Sequence, residues 1–182
     1  MFELDSDIKK ALVVVDYQND FVNGSLGFAK AEKIYDAICR KIEFCVLQGF
    51  DVIFTLDTHH DDYLDTLEGK YLPVRHCVDG ESGHALFGAL EKYARESGVV
   101  FKKSSFGSCE LCSYLRENNY SCVEFVGLVT NICVLSNAVM ARSYMPQATI
   151  KVDAEATASF DDILHEKALD VLQSINVEVV NR

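Results

Sequence analysis

The chain has 182 residues, 49% of them hydrophobic, and a formal net charge of −11 at pH 7. This length and composition can fill one hydrophobic core, so we expect a single domain over residues 1–182. The acidic balance excludes the basic stripe of a nucleic-acid surface, and the few paired lysines are too sparse for a membrane-binding patch. We therefore expect neither nucleic acid nor a membrane as a partner.

The cysteines and the first residues indicate a reducing compartment. Seven cysteines make an odd number, and their spacings show no repeated disulfide framework. The stretch MFELDSDIKK lacks the basic start and the apolar run of a secretory signal. No run approaches the roughly 20 apolar residues that span a bilayer. We expect free thiols and a cytoplasmic location.

Short β-branched runs alternate with longer amphipathic stretches along the chain. The strand candidates are residues 11–15, 52–56, 99–101, 122–126, 149–152 and 177–180. The helix candidates lie near residues 31–48, 84–96, 109–117, 132–144 and 161–174. Nearly continuous apolar strands with crossover helices are typical of a parallel sheet that is covered on both faces. The pattern predicts an α/β fold, a single-domain three-layer α/β/α sandwich around a six-stranded, mostly parallel, doubly wound sheet.

Polar residues follow the first and third predicted strands, at the edge where open α/β sheets bind ligands. Asp16 ends the first strand, and a carboxylate there is costly to bury unless it has a partner or a task. Asp16 is therefore either a general base or a residue that caps a turn. Lys102 and Lys103 follow the third strand and alternate to opposite sides, so at most one reaches the cleft. For Lys102 we favour a solvated position.

The stretch GLVTNICV, residues 127–134, places a thiol at the start of a helix, after the fourth strand. Backbone N–H groups and the helix dipole favour a thiolate at such a position and can also hold an oxyanion. Cys133 is therefore a candidate nucleophile, with Asp16 as its base and a cleft lysine that would lower its pKa. The alternative is a buried cysteine that only fills the core.

The longest irregular stretch, residues 57–83, holds three of the five histidines. Loops of this length inside compact domains are usually functional. Asp57 and His59 leave the same face of an extended segment, and Glu68 and His76 follow in the loop. Two imidazoles and two carboxylates form a mixed N/O set that suits zinc, manganese or iron. Scattered solvated side chains are the alternative interpretation of this loose spacing.

Four motifs, in this order, resemble the isochorismatase-like cysteine hydrolases and, more narrowly, the nicotinamidases among them. The motifs are DYQNDF from Asp16, HCVDGESG from His76, KSSFGS from Lys103 and GLVTNICV up to Cys133. The resemblance covers nearly the whole chain. The chain departs from the family pattern at Asn131, where many members carry Asp, and at Glu81, where Thr is usual.

The resemblance implies that Asp16, Lys103 and Cys133 form a catalytic triad. Val129 matches the family residue that follows a cis peptide bond, and its N–H and that of Cys133 would form the oxyanion hole. Phe21 and Phe106 match aromatic positions that line the ring pocket of the family.

The resemblance also implies one divalent metal ion. Its ligands would be Asp57, His59 and His76, with Glu68 bound directly or through water, and zinc is our expectation over manganese and iron. The activity implied is metal-dependent hydrolysis of nicotinamide to nicotinate and ammonia through a thioester, in NAD salvage, by a homo-oligomer. The alternatives are an amidase of the superfamily that acts on a ureido or carbamoyl substrate without a metal, and a partner-binding protein with a relic triad.

We interpret the other cysteines, histidines and phenylalanines as structural. Cys109 and Cys112 form a CxxC in a helical pattern without a second pair, so we expect neither a redox site nor a zinc site. The remaining assignments are small buried hydrophobes for Cys39, Cys45, Cys77 and Cys122, surface positions for His84 and His165, and core positions for Phe44, Phe87 and Phe125.

Overall fold

The computed structural model describes residues 8–182, which are built around one six-stranded sheet. The strands are β1 (Lys9–Val15), β2 (Asp51–Asp57), β3 (Val100–Lys103), β4 (Tyr120–Leu128), β5 (Thr149–Ala158) and β6 (Glu178–Val180). Their order is β3-β2-β1-β4-β5-β6, and every neighbouring pair is parallel. The predicted α/β class is confirmed. The chain winds outward in both directions from β1 and β4, which places the switch point of the sheet between these two strands.

Eight α-helices cover the sheet in the described part of the chain. They are α1 (Asn19–Val22), α2 (Ala29–Lys33), α3 (Tyr35–Leu47), α4 (Leu67–Tyr71), α5 (Leu90–Ser97), α6 (Cys109–Glu117), α7 (Leu135–Tyr144) and α8 (Asp162–Ser174). Two 3₁₀ turns, Tyr63–Asp65 and Ser82–His84, and one π turn, Thr130–Val134, join them. None of these helices, within residues 8–182, has both the length and the apolar character needed to cross a bilayer.

Alternation along β1 divides the core between the two faces of the sheet. Leu12 and Val14 pack with α3 and α5 on one face, whereas Val13 and Val15 pack with α6, α7 and α8 on the other. Because both faces are buried, the strands carry the nearly continuous apolar runs that the sequence shows. The three-layer arrangement is the one that this pattern predicts.

The structure corrects several local predictions. The second predicted helix begins at Leu90 rather than at residue 84, because Ser82–His84 is a separate 3₁₀ turn. His84 is buried rather than on the surface, since its imidazole bonds inward to Thr58. Phe44 is 58% exposed rather than in the core, because it lies on the outer side of α3. His165 is half-buried against Thr130.

The cysteines, all of which lie in the described part of the chain, are free thiols, as predicted. Cys45, Cys77 and Cys112 are buried, Cys39 and Cys122 are half-buried, and Cys109 is exposed.

A close approach of β4 to β1 sets the geometry at the carboxyl edge of the sheet. Gly127 pairs with Val15, the residue before Asp16, and has a φ of 110°. A Cβ atom at Gly127 would lie 2.2 Å from the carbonyl oxygen of Val15. Only glycine fits this conformation and this gap. The end of β1 and the turn after β4 therefore lie side by side.

Candidate active site and metal centre

The structure brings Asp16, Lys103 and Cys133 together beyond the ends of β1, β3 and β4. The Nζ atom of Lys103 lies 2.7 Å from Oδ2 of Asp16 and 3.5 Å from Sγ of Cys133. All three side chains are buried. Lys102 points away from this group and pairs at 2.9 Å with Asp79 on the surface, as the alternation along β3 predicts. We refer to Asp16, Lys103 and Cys133 as the triad.

Each carboxylate oxygen of Asp16 has a partner. Thr55 Oγ1 donates a hydrogen bond to Asp16 Oδ1 at 2.6 Å. The other oxygen, Oδ2, pairs with the ammonium group of Lys103 at 2.7 Å, although the angles are poor for a hydrogen bond. Burial raises the pKa of the Asp16 carboxyl, and the positive charge of Lys103 opposes this rise. Oδ2 is therefore a buried carboxylate oxygen beside a buried cation.

Cys133 is a neutral thiol at rest rather than the thiolate that its place near a helix start favours. Burial, and then the negative charge of Asp16, raise the pKa of Cys133 well above its ordinary value, and the lysine only partly offsets them. Burial alone would lower the pKa of Lys103, but the negative charges of Asp16 and Asp57 raise it above its ordinary value. Lys103 is therefore a buried cation beside a protonated thiol.

The turn that carries Cys133 follows a cis peptide bond between Leu128 and Val129, at the position that the family resemblance implies. The carbonyl oxygen of Val129 accepts hydrogen bonds from the N–H groups of Ile132 and Val134, at 3.0 and 3.2 Å. The turn is a π turn, Thr130–Val134, rather than the first turn of a regular α-helix. Cys133 therefore lies in the π turn, two residues before α7 begins at Leu135.

Asp57, His59, Glu68 and His76 converge beside the triad, and we call these four residues the N/O cluster. One donor atom from each lies within 4.8 Å of those of the other three. Oδ2 of Asp57 is 3.1 Å from Nε2 of His59 and 3.4 Å from Nε2 of His76. Oε1 of Glu68 is 3.9 and 4.0 Å from the same nitrogens. Zinc with ligands at about 2.1 Å needs neighbouring donors about 3.4 Å apart, so the cluster fits a divalent metal ion.

The hydrogen bonds of the imidazoles also suit metal binding. Nδ1 of His76 lies 2.8 Å from the carbonyl oxygen of Val74, which can only accept. Nδ1 therefore carries the hydrogen, and the lone pair of Nε2 faces the cluster. Burial alone would raise the pKa of Asp57, but its contacts with the imidazoles of His59 and His76 and the positive charge of Lys103 hold it well below its usual range. The cluster thus offers an ionised carboxylate and an oriented imidazole.

Lys103 also connects the triad to the N/O cluster. Its Nζ atom is 3.3 Å from Oδ1 of Asp57, so one buried cation contacts a carboxylate of each group. In the sheet, β2 lies between β3 and β1, and the lysine side chain reaches past Asp57 to Asp16. The charges of Asp16 and Asp57 therefore interact through the ammonium group of Lys103 that lies between them.

A cavity of about 370 Å³, which we call the inner chamber, opens onto both groups. Its lining includes the two aromatic residues that the resemblance implies, Phe21 and Phe106, together with Val129 and Cys133. It also includes residues that sequence reasoning did not identify, namely Leu26, Gly27, Phe28, Leu72, Ile132 and Phe160. The wall is mostly apolar, and the chamber lies in the size range of small-molecule sites.

Residues 10–182 match the family model that is described as the isochorismatase domain. The chain belongs to the isochorismatase family. It is 27% identical to the nicotinamidase/pyrazinamidase of Mycobacterium tuberculosis, over 94% of this chain and 98% of that protein.

Solved structures of isochorismatase-family relatives have the same fold. The crystal structure of nicotinamidase PncA from Bacillus subtilis has a TM-score of 0.82 at 31% identity, covering 94% of this chain and 98% of that one. The pyrazinamidase of Pyrococcus horikoshii in complex with zinc has a TM-score of 0.83 at 25% identity, covering 96% and 99%.

This isochorismatase-family site depends on supporting residues that sequence reasoning missed. Asp20 accepts a hydrogen bond from the N–H of Cys77, the residue after His76, at 2.8 Å. The ring of Tyr63 packs against the imidazoles of His59 and His76, with centroids 4.5 and 4.9 Å apart. The only sequence signal for Asp20 is its place in DYQNDF, and Tyr63 has none.

A buried amide supports the turn that carries Cys133. The Nδ2 group of Asn137 donates to the carbonyl oxygens of Cys133 and Phe106, at 2.8 and 3.1 Å. Its Oδ1 accepts from the N–H of Ser108 at 3.0 Å. This one side chain therefore ties the turn with the thiol to the segment between Lys103 and α6. In the sequence it reads as an ordinary polar residue in a helix.

The two departures from the usual family pattern lie outside the triad and the N/O cluster. Glu81 accepts a hydrogen bond from Arg75 at 2.9 Å on the exposed side of the loop. Asn131 accepts one from the hydroxyl of Ser159 at 2.7 Å. The side chains of both therefore brace loops around the site.

Proposed function

We propose that this protein is a nicotinamidase, which hydrolyses the carboxamide of nicotinamide to nicotinate and ammonia. The observation that carries the proposal is that the buried Lys103 contacts both Asp16 of the triad and Asp57 of the N/O cluster, next to the inner chamber. A site with this layout holds an aromatic amide between a nucleophile and a cation-binding group. The named relatives, a nicotinamidase/pyrazinamidase and a nicotinamidase, support the same activity.

Acylation would begin with proton transfer from Sγ of Cys133 to Oδ2 of Asp16. The thiolate then attacks the carboxamide carbon, and the N–H groups of Val129 and Cys133 hold the oxyanion that develops. As the C–N bond breaks, Asp16 returns the proton to the leaving nitrogen, and ammonia departs. A thioester between Cys133 and the nicotinoyl group remains.

Deacylation reuses the same carboxylate. Asp16 takes a proton from a water molecule, whose oxygen attacks the thioester carbon. The C–S bond breaks, the proton returns to the sulfur, and nicotinic acid leaves and loses its remaining proton to solvent as nicotinate. Each proton thus moves between groups that are already in place, while Lys103 keeps its charge beside them.

Asp57, His59, Glu68 and His76 would hold one divalent ion, for which we favour zinc. Such an ion is a Lewis acid that can accept the lone pair of a pyridine nitrogen and so orient the ring. The zinc complex of the pyrazinamidase relative supports this choice. We further propose that the enzyme acts in the cytoplasm, as a homo-oligomer, and that its product enters NAD salvage.

The test is ammonia release from nicotinamide by the purified protein, before and after chelation and after return of zinc, manganese or iron. We expect activity that falls on chelation and recovers with metal. Cys133→Ala should abolish it, and the matched variant Cys122→Ala, at the far end of β4, should retain it. No release by folded, metal-loaded protein would contradict the proposal, and release from a ureido or carbamoyl compound instead would favour the alternative amidase.

A further inference from the structure

A second cavity adjoins the inner chamber on the other side of the N/O cluster. This outer chamber has a volume of about 740 Å³. Glu68, Leu72, Phe106 and Ile132 line both chambers. Cys133 and Val129 line only the inner one, whereas His59 lines only the outer one. The two chambers therefore adjoin at these four shared residues, one of which, Glu68, belongs to the N/O cluster, and the thiol of Cys133 faces only the inner chamber.

The outer chamber has an apolar rim that no part of residues 8–182 covers. Leu67 is 73% exposed, Tyr71 is 85% exposed and Phe106 is 45% exposed, and all three line the chamber. Leu67 and Tyr71 are the first and last residues of α4, the helix that also carries Glu68. Clustered exposed apolar side chains usually mark a binding surface. Here the surface adjoins the inner chamber, because Phe106 lines both cavities.

Away from the N/O cluster, the charged residue in the lining of the outer chamber is acidic. Asp62 lines this part of the chamber, and the lining contains no lysine and no arginine. The chain as a whole carries a formal charge of −11. A ligand group near Asp62 would therefore meet apolar surface and a negative charge, which favours a neutral group and disfavours an anionic one.

We propose that the outer chamber is an extension of the substrate site that takes an uncharged aryl or alkyl group carried on the ring of an aromatic carboxamide. This inference rests on the proposed function, because the carboxamide must lie at Cys133 in the inner chamber. The substituent would be attached to the side of the ring that faces the N/O cluster, away from the thiol and the departing ammonia. The enzyme accordingly accepts ring-substituted nicotinamides as well as nicotinamide itself.

The substrate test compares kcat/KM for nicotinamide with that for its 5-phenyl and 6-phenyl derivatives and for the matched carboxyphenyl compounds. We expect at least one phenyl derivative to react within about tenfold of nicotinamide, and its carboxyphenyl counterpart to react at least about tenfold more slowly than that derivative. Hydrolysis of nicotinamide with no measurable hydrolysis of either phenyl derivative overturns the inference alone. No hydrolysis of nicotinamide overturns the proposed function and the inference with it.

Reversing the charge of Asp62 tests whether the ring substituent lies in the outer chamber. Asp62 lines the outer chamber, whereas Asp65, which is also exposed and lies three residues later, does not. Asp62→Lys should raise the kcat/KM of the carboxyphenyl compound relative to the phenyl compound by about tenfold, and Asp65→Lys, with the same change in net charge, should not. Equal ratios in the two variants would show that the substituent lies elsewhere.

Discussion

Gln18 binds both backbone polar groups of Asp57. Its Nε2 group donates to the carbonyl oxygen of Asp57 at 2.9 Å, and its Oε1 atom accepts from the N–H of the same residue at 2.8 Å. The same Nε2 group donates to the carbonyl oxygen of His84 at 2.8 Å. The side chain is fully buried. Since Gln18 follows Asp16 by two residues, this amide fixes the end of β2 relative to the end of β1, and so the N/O cluster relative to the triad.

Gln18→Leu should therefore cost both stability and metal binding. The change leaves the N–H and carbonyl groups of Asp57 buried without partners, and each such group costs about 1–3 kcal/mol. We expect the free energy of unfolding to fall by about 3 kcal/mol and the bound metal to be lost at lower chelator concentrations. Urea unfolding and metal titration measure the two effects. The control is Gln48→Leu at an exposed position, and a Gln18 variant that behaves like this control would contradict the positioning role.

The two neighbouring lysines provide a matched pair of variants. Lys103→Met leaves the buried carboxylate of Asp16 without its cation, so we expect loss of turnover and a fall in stability of about 3 kcal/mol or more near neutral pH. Lys102→Met removes only an exposed pair with Asp79 and should change stability by less than about 1 kcal/mol.

The pH dependence of the Lys103→Met defect has a definite sign. Burial already raises the pKa of Asp16, and loss of the lysine raises it further. A carboxyl whose pKa is higher in the folded than in the unfolded protein favours folding at low pH, and this contribution is lost as the pH rises through the folded-state value. The stability defect should shrink between about pH 8 and about pH 5 in urea unfolding. A defect that grows on acidification would show that Asp16 is not the group left unpaired.

Alkylation of Cys133 reports its raised pKa. Because burial and the charge of Asp16 disfavour the thiolate, we expect slow reaction with iodoacetamide near neutral pH and faster reaction as the pH rises. Asp16→Asn removes that negative charge while Lys103 stays, so alkylation near neutral pH should become faster although turnover is lost. Peptide mass spectrometry measures the rate, with the exposed Cys109 as internal reference. Slower alkylation in the variant would contradict this account of the charge balance.

Variants of His76 and His60 test which histidines bind the metal ion. His76→Ala removes one donor of the N/O cluster and should lower metal affinity by at least about 100-fold, since even the loss of an outer-shell partner costs 10- to 100-fold. His60→Ala, at an exposed position next to His59, should keep its full metal content. Elemental analysis after dialysis against a weak chelator distinguishes them. Equal metal content in both variants would exclude His76 as a ligand.

Much of the fold and of the candidate site follows from local patterns. The helices over residues 109–117 and 161–174 lie within about one residue of their predicted positions, because apolar periodicity controls which side of an element is buried. Each predicted strand overlaps an observed strand, but β4 and β5 extend further than predicted, to Leu128 and Ala158. The residues singled out at strand ends, Asp16, Lys103 and Cys133, meet because parallel strands share one carboxyl edge. The short helices α1 and α4 were not predicted, since four or five residues carry no periodic signal.

The features that the sequence does not predict depend on contacts between residues that are far apart in the chain. Gln18 and Asn137 look like ordinary polar residues, and their roles appear only when distant backbone groups approach them. The net pKa of Cys133 was expected to be lowered, yet the depth of the site outweighs the nearby cation. Phe160 borders the inner chamber although it precedes α8, far along the chain from Cys133.

Because Gly127 has no side chain, the backbones of β4 and β1 set the distance between the Asp16 carboxylate and the Cys133 thiol. Val15 and Gly127 are in backbone contact, so a change of side-chain rotamer elsewhere does not alter the gap between the two strands. A carbon atom added at Gly127 has to push β4 away from β1. Gly127→Ala should thus retain Asp16, Lys103 and Cys133 and still lower nicotinamide hydrolysis, because a shift of β4 would move the Cys133 thiol away from the Asp16 carboxylate. The distance between these two side chains therefore depends on the absence of a Cβ atom at residue 127.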